Sequence, residues 1–260
     1  MGGGSILDAT QVNLSSVFFF SYNNIKPLTI LGQKILFVTA HPDDESYLAA
    51  GTIYKNYQAG GQSFLLCATL GEKGRFHCKE NVTESQLKKI RKWELTAAAK
   101  FLKISQLTIL NLPDCTLSQK LNQKTLLKKI LILIKKIKPD LIASFGQDGI
   151  SGHLDHITTG QVSRSAAKKL KIPFLSFCCP PKLKSAQDQL RLRRKHGRYA
   201  PKINYSTFNI KIKVDPKIKL KALKIHRSQL DRGNPFSKLP EGAAEEMLRN
   251  EYFSTRFNRT

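Results

Sequence analysis

At 260 residues, 41% apolar and 24% charged, the chain is long enough to bury a sizeable core and too apolar to be disordered. Its 43 Lys plus Arg against 19 Asp plus Glu leave a formal charge of +24, which attracts anions, anionic membranes or nucleic acid without choosing among them. Five cysteines lack the paired spacing of a structural zinc ribbon and fit a reducing compartment, so a cytoplasmic location is expected. The run Val17 to Phe20 is too short to span a bilayer and no basic segment precedes it.

Residues 1–28 read as a leader and residues 29–260 as one domain. Lys34 to Ala40 is an apolar run that suits a first buried parallel strand. The chain then enters His41-Pro42-Asp43-Asp44-Glu45, with proline and acids placed as at the first turn of a helix that continues from Ser46 to Gln58. Ser63 to Thr69 reads as the second strand, and Thr83 or Ser85 caps a helix ending near Lys103. The period repeats as strand Leu107 to Leu112, helix Leu121 to Lys138 and strand Leu141 to Phe145. A loop from Gly146 to His156 follows, then a helix to about Leu170 and strand Phe174 to Cys178. This alternation predicts an α/β fold, Rossmann-like, with a mostly parallel sheet flanked by helices on both faces. Its crevice lies at the carboxyl ends of the strands.

Past Pro180-Pro181 the texture turns basic, and residues 181–202 read as a surface excursion. Thr207 to Val214 alternates in strand fashion, with Phe208, Ile210, Ile212 and Val214 on one face. Asp215-Pro216 opens a helix that carries Leu220, Leu223 and Leu230 and passes His226. A short helix is expected around Ala243 to Arg249.

Two acidic-histidine clusters fall just beyond strands. In the first, His41 ends a strand and Asp43 and Asp44 begin a helix, so an imidazole and a carboxylate suited to zinc lie beside a second carboxylate able to take a proton from water. The competing reading is that Asp43, Asp44 and Glu45 only complement the helix dipole, and Glu45 is the member assigned to structure. In the second, Gly146 to His156 offers His153, Asp155 and His156 among three glycines. His156 completes a two-His, one-Asp set with His41 and Asp44 and leaves a fourth position for water. His153 then faces the reacting carbonyl, and Asp155 orients a histidine. A His/Asp-rich surface loop, or a metal site without catalysis, stays open on the residues alone. Three of the six histidines nonetheless sit in these two motifs.

The string AHPDDE from Ala40, TLGEKG from Thr69, Arg91 with Glu94, LPD from Leu112, GISGHLDH from Gly149 and ALKIHRSQ from Ala222 resemble the LmbE-like, or PIG-L, family of N-acetylglucosaminyl deacetylases. The resemblance spans roughly residues 34–232. It implies zinc held by His41, Asp44 and His156, with iron in its place in some members. It further implies Asp43 as general base and His153 as the group that stabilises the tetrahedral intermediate. The reaction implied is hydrolysis of an N-acetylglucosamine conjugate to free amine and acetate. Arg75, Arg91, His226 and Gln229 are the candidates for holding the substrate. Asp155 stands where membrane-associated relatives more often resemble an Asn-His ending, which favours a small anionic or neutral sugar conjugate as partner. A zinc amidase acting on a non-sugar N-acyl amine is one alternative, and a non-catalytic anion or nucleic-acid binding protein a remoter one. No stacked aromatic pattern accompanies the basic residues, which argues against nucleic acid. Homo-oligomerisation is left open.

Overall fold

A computed structural model describes residues 29–74, 82–182, 207–237, 239 and 242–255. The expected leader at 1–28, Arg75 and nearly all of the basic excursion at 181–202 lie outside the described residues.

Seven strands form one sheet. β1 (Lys34–Thr39), β2 (Gln62–Thr69), β3 (Gln106–Leu112), β4 (Leu141–Phe145) and β5 (Phe174–Phe177) are parallel, and β6 (Ile210–Lys213) and β7 (Asn250–Ser254) add an antiparallel edge. The order is β3-β2-β1-β4-β5-β7-β6, so the winding reverses between β1 and β4. Loops leaving β1 and β4 therefore diverge and open a crevice there, the usual ligand position of doubly wound sheets. β1 and β4 are apolar and buried almost throughout because helices cover the sheet. Packing forms two groups of helices. One joins α4 (Lys120–Ile137) to α6 (Leu154–Leu170). The other joins α1 (Asp44–Leu48), α2 (Ala50–Gln58) and α3 (Glu84–Phe101) to α7 (Pro216–Ile225). The short helices α5 (Gly149–Gly152) and α8 (Ala243–Arg249) complete the described set.

Local chemistry fixes several boundaries. Thr83 and Gln86 form a reciprocal capping box at the start of α3, as Ser/Thr with Gln three residues on can do. Asp215 accepts from the Lys217 amide with Pro216 at the first helical position of α7.

Four expectations need correction. The helix foreseen from 46 to 58 is two, broken at Ala49 (φ −146°), because Glu251 on β7 accepts the Gly51 and Thr52 amides (2.9 and 2.8 Å) and starts α2 afresh. Pro42 and Asp43 stand ahead of α1 rather than in its first turn, since Asp43 has φ 100°. Asp155 and His156 belong to the first turn of α6, not to the loop before it. α7 ends at Ile225, so Leu230 lies beyond it, after a 3-10 turn at Arg227–Gln229.

Gly160 sets how closely α6 approaches β4: a Cβ there would lie 2.4 Å from the Phe145 carbonyl oxygen. Helix propensity favours alanine by about 1 kcal/mol, but a clash with backbone outweighs it. Gly160→Ala is expected to destabilise the protein by about 1–3 kcal/mol in chemical denaturation. A variant as stable as the parent would show that α6 can retreat freely.

Candidate active site

His41, Asp43 and Asp44 leave β1, and His153, Asp155 and His156 begin α6 after β4, so the two motifs meet across the switch point. His41 Nδ1 lies 3.0 Å from His156 Nε2, and His156 Nε2 lies 3.3 Å from Asp44 Oδ1. The other nitrogen of each ring is already engaged. His41 Nε2 faces Asp114 Oδ1 at 3.1 Å and Asp155 Oδ2 at 3.5 Å, while His156 Nδ1 is 3.0 Å from the Gly149 carbonyl oxygen. Where a ring is neutral, as a metal ligand must be, an acceptor on its outer nitrogen selects the tautomer whose inner lone pair is free. The inner atoms of His41 and His156 and one oxygen of Asp44 thus converge as a His/Asp cluster suited to a divalent metal.

Two geometric groupings exist among the described residues, His41 with His153 and His156, and His41 with Asp114 and Asp155. The second is the poorer cradle. Asp155 accepts from the Cys115 and Leu117 amides (2.8 and 3.1 Å), and Asp114 from Lys73 and Cys115 (3.0 and 2.9 Å), so these carboxylates are committed to fixing loops.

Asp44 Oδ2 accepts from the Ala40 and His41 amides (3.1 and 2.8 Å), which turns Oδ1 toward His156. Burial would raise the Asp44 pKa, but the positive charge of His156 and His41 holds it well below the usual carboxylate range. Burial works against the charged form of His41 too, yet the carboxylates of Asp114, Asp155 and Asp44 lift its pKa to about 10. Burial of Asp43, opposed by the Arg91 charge, pushes its pKa up to about 6.

Asp43 occupies the left-handed region with its amide donating to Glu45 Oε2 (3.1 Å). Such strain persists only where the surroundings enforce it. Arg91 enforces it from the other side: its guanidinium donates to the Pro42 carbonyl and to the Gly71 carbonyl (2.7 Å), with Nη2 3.4 Å from Asp43 Oδ1. A Cβ on Gly71 would lie 2.1 Å from Arg91 Nη1, so only glycine admits the guanidinium. Ile150 is a second outlier (φ 65°), anchored by Asp148, and its turn aims the Gly149 carbonyl at His156. His153 caps α6, with Nδ1 accepting the Asp155 amide (3.2 Å) and its proton therefore on Nε2. Burial, then the charges of His41 and His156, lower its pKa.

These residues open onto a cavity of about 650 Å³. Arg91 and Gln229 are among the lining residues, and His226 is not. His226 is buried behind Asp43, with Nε2 2.7 Å from Glu45 Oε1, where it holds the carboxylate that holds the Asp43 amide. Glu94 accepts from Ser228 through both amide and hydroxyl (2.7 and 2.6 Å), fastening α3 to the turn that carries Gln229. Sequence reasoning gave Asp114 no role. Its signal was the Leu112-Pro113-Asp114 string beyond a strand, but only the fold brings it against His41.

Residues 36–167 match the family profile described as PIG-L, GlcNAc-PI de-N-acetylase. The chain belongs to the PIG-L family. A probable N-acetyl-alpha-D-glucosaminyl L-malate deacetylase 2 of Bacillus subtilis (strain 168) is 31% identical over 76% of this chain and 84% of that protein. Its Bacillus anthracis counterpart is 35% identical over 51% of this chain and 58% of that protein. Among solved structures, N,N'-diacetylchitobiose deacetylase from Pyrococcus horikoshii shares the PIG-L fold seen here, with a TM-score of 0.59, 22% identity and coverage of 85% and 82% of the two chains. No described helix is long and apolar enough to cross a membrane.

A divalent cation that fits the cluster stabilises the folded state in proportion to its occupancy. Thermal denaturation with added zinc at about 100 times its Kd should show a gain near 2.7 kcal/mol, lost in His156→Ala. An equal gain in His156→Ala would place the bound ion elsewhere.

Proposed function

We propose that this chain is a metal-dependent N-deacetylase that hydrolyses the acetamide of an N-acetylglucosamine-type sugar conjugate to free amine and acetate. The observation that carries this reading is the convergence of His41 Nδ1, His156 Nε2 and Asp44 Oδ1, each aimed inward by a partner on its far side. Family membership supports it, since relatives of the PIG-L family bear deacetylase names. Two nitrogens and one carboxylate oxygen suit zinc, with iron as a second candidate. Zinc held by His41, Asp44 and His156 would supply a water of lowered pKa and a Lewis acid for the amide carbonyl.

The chain's own groups do the rest. Asp43, next to the ligand set yet turned away by its left-handed backbone and by Arg91, takes the proton of the attacking water. His153 lines the cavity with its proton on Nε2, where it donates a hydrogen bond to the developing oxyanion, and the proton that Asp43 took from water passes to the departing amine. Asp155 and Asp114 keep the His41 ring in register. Arg91 and Gln229, with Arg75 beyond the described residues, are the substrate-side groups; both terminal nitrogens of Arg91 are held at the Gly71 and Pro42 carbonyls and beside Asp43, so it acts first on Asp43. The substrate is a small sugar conjugate, and the setting proposed for the reaction is the cytoplasm.

Acetate release from N-acetylglucosamine conjugates by zinc-loaded protein tests the activity. Asp43→Asn should keep stoichiometric metal and lose about 10²–10⁴ in kcat, and loss of the metal instead would make Asp43 a ligand. His153→Ala should lose about 10²–10³ in kcat while retaining both metal and thermal stability. Full turnover in that variant would remove His153 from the chemistry.

A further inference from the structure

The cavity is polar at one end and apolar at the other, and the sheet dictates which end is which. Along its carboxyl edge, β3 and β2 deliver Asp114, Lys73 and Gly74, with Gln229 beside Gly74. β1 and β4 deliver the His/Asp cluster in the middle. β5 and β7 deliver the far wall, where Cys178, Pro180 and Tyr252 are joined by Met247 from α8, with Asn250 also in the lining. Adjacency of the last two strands is direct, since the Cys178 amide donates to the Tyr252 carbonyl (2.9 Å).

Among the described residues, the Lys219 and Glu251 charges in this lining are already committed to each other. Lys219 and Glu251 pair at 3.0 Å with both side chains buried, and both oxygens of Glu251 also serve the start of α2. An anionic carrier would find no free countercharge in that pair, whereas an aliphatic group would find apolar walls. The volume of about 650 Å³ falls within the range of drug-sized ligands, about 300–1,000 Å³. A pyranose with hydroxyls suits the Asp114, Lys73 and Gln229 end. The reacting carbonyl sits at the cluster, which leaves the β5 and β7 side for whatever lies across the amide from the sugar.

We propose that this apolar chamber binds the acyl side of the scissile amide, so that the preferred substrate is a glucosamine bearing an N-acyl chain longer than acetyl. The inference rests on the hydrolase reading above. The reaction is unchanged in balance: the oxygen of water bonds to the acyl carbon, and the C–N bond breaks with its electron pair going to nitrogen. The amine takes a proton, and the acid leaves as a carboxylate.

The test compares kcat/KM of the zinc-loaded protein for N-acetyl-, N-butyryl-, N-hexanoyl- and N-octanoylglucosamine, read as free amine. A parallel arm lengthens the other side, using methyl and octyl glycosides of N-acetylglucosamine. Burial of each methylene is worth up to about fourfold, so the four that hexanoyl adds to acetyl set a ceiling of about 250-fold; a gain of about tenfold or more is expected, with none in the glycoside arm. Met247→Trp should shrink the hexanoyl to acetyl ratio toward one by filling the chamber. A flat or falling acyl series with acetyl cleaved would overturn the proposal, as would a gain confined to the octyl glycoside. Calorimetric binding of N-hexanoyl- against N-acetylglucosamine separates the two readings if no amide is cleaved. Tighter hexanoyl binding would then keep the chamber and sink the hydrolase, and equal binding would overturn the chamber as well.

Discussion

Everything at the crevice depends on which way the His41 ring faces. Imidazole has two nitrogens with opposite duties, and Asp114 and Asp155 claim one of them. Asp155 is itself clamped by the Cys115 and Leu117 amides, so the loop after β3, the start of α6 and the end of β1 are locked through a single ring. Three carboxylates around one histidine also concentrate negative charge inside a chain whose formal charge is +24. That field favours a cation at its centre, whether the proton on His41 or a divalent ion. The excess basic charge elsewhere and the acidic crevice are thus separate features, and the first says little about the second.

The neighbouring arrangement serves Asp43. Its left-handed backbone is held by an amide bond to Glu45 beneath, by Arg91 from α3, and at one remove by His226 after α7. Three elements distant in sequence therefore agree on the position of one carboxylate. Strain of this kind is stable only when over-determined, and here it is. Two adjacent aspartates consequently point to different tasks: Asp44 leans back on the β1 amides, and Asp43 projects beside it.

Much of this was legible in the sequence. Apolar runs bounded by turns marked the five parallel strands to within a residue or so, because strands buried on both faces, as all but the edge strand β3 are, must be continuously apolar. The two His/Asp motifs announced themselves by residue type and by their position after strands. What was not legible depends on contacts between distant segments. The break at Ala49 needs Glu251, and β7 shows no alternation because both of its faces are covered. For His226 the sequence left a sugar-facing and a packing role nearly level, and only the fold shows it buried against Glu45 beneath Asp43. Asp114 stood in the Leu112-Pro113-Asp114 string, but its partner His41 emerges only once β3 and β1 lie two strands apart.

Glu251 ties the first helices to the last strand across 200 residues of sequence. The amides at the start of α2 acquire their carboxylate only when β7 docks, and β7 docks only against β5 and β6. Loop closure of that span is an unfavourable early step for a folding chain. The corner beside Asp43 is therefore tied to the far edge of the sheet: whatever loosens β7 is felt at the start of α2, one helix away from the aspartate.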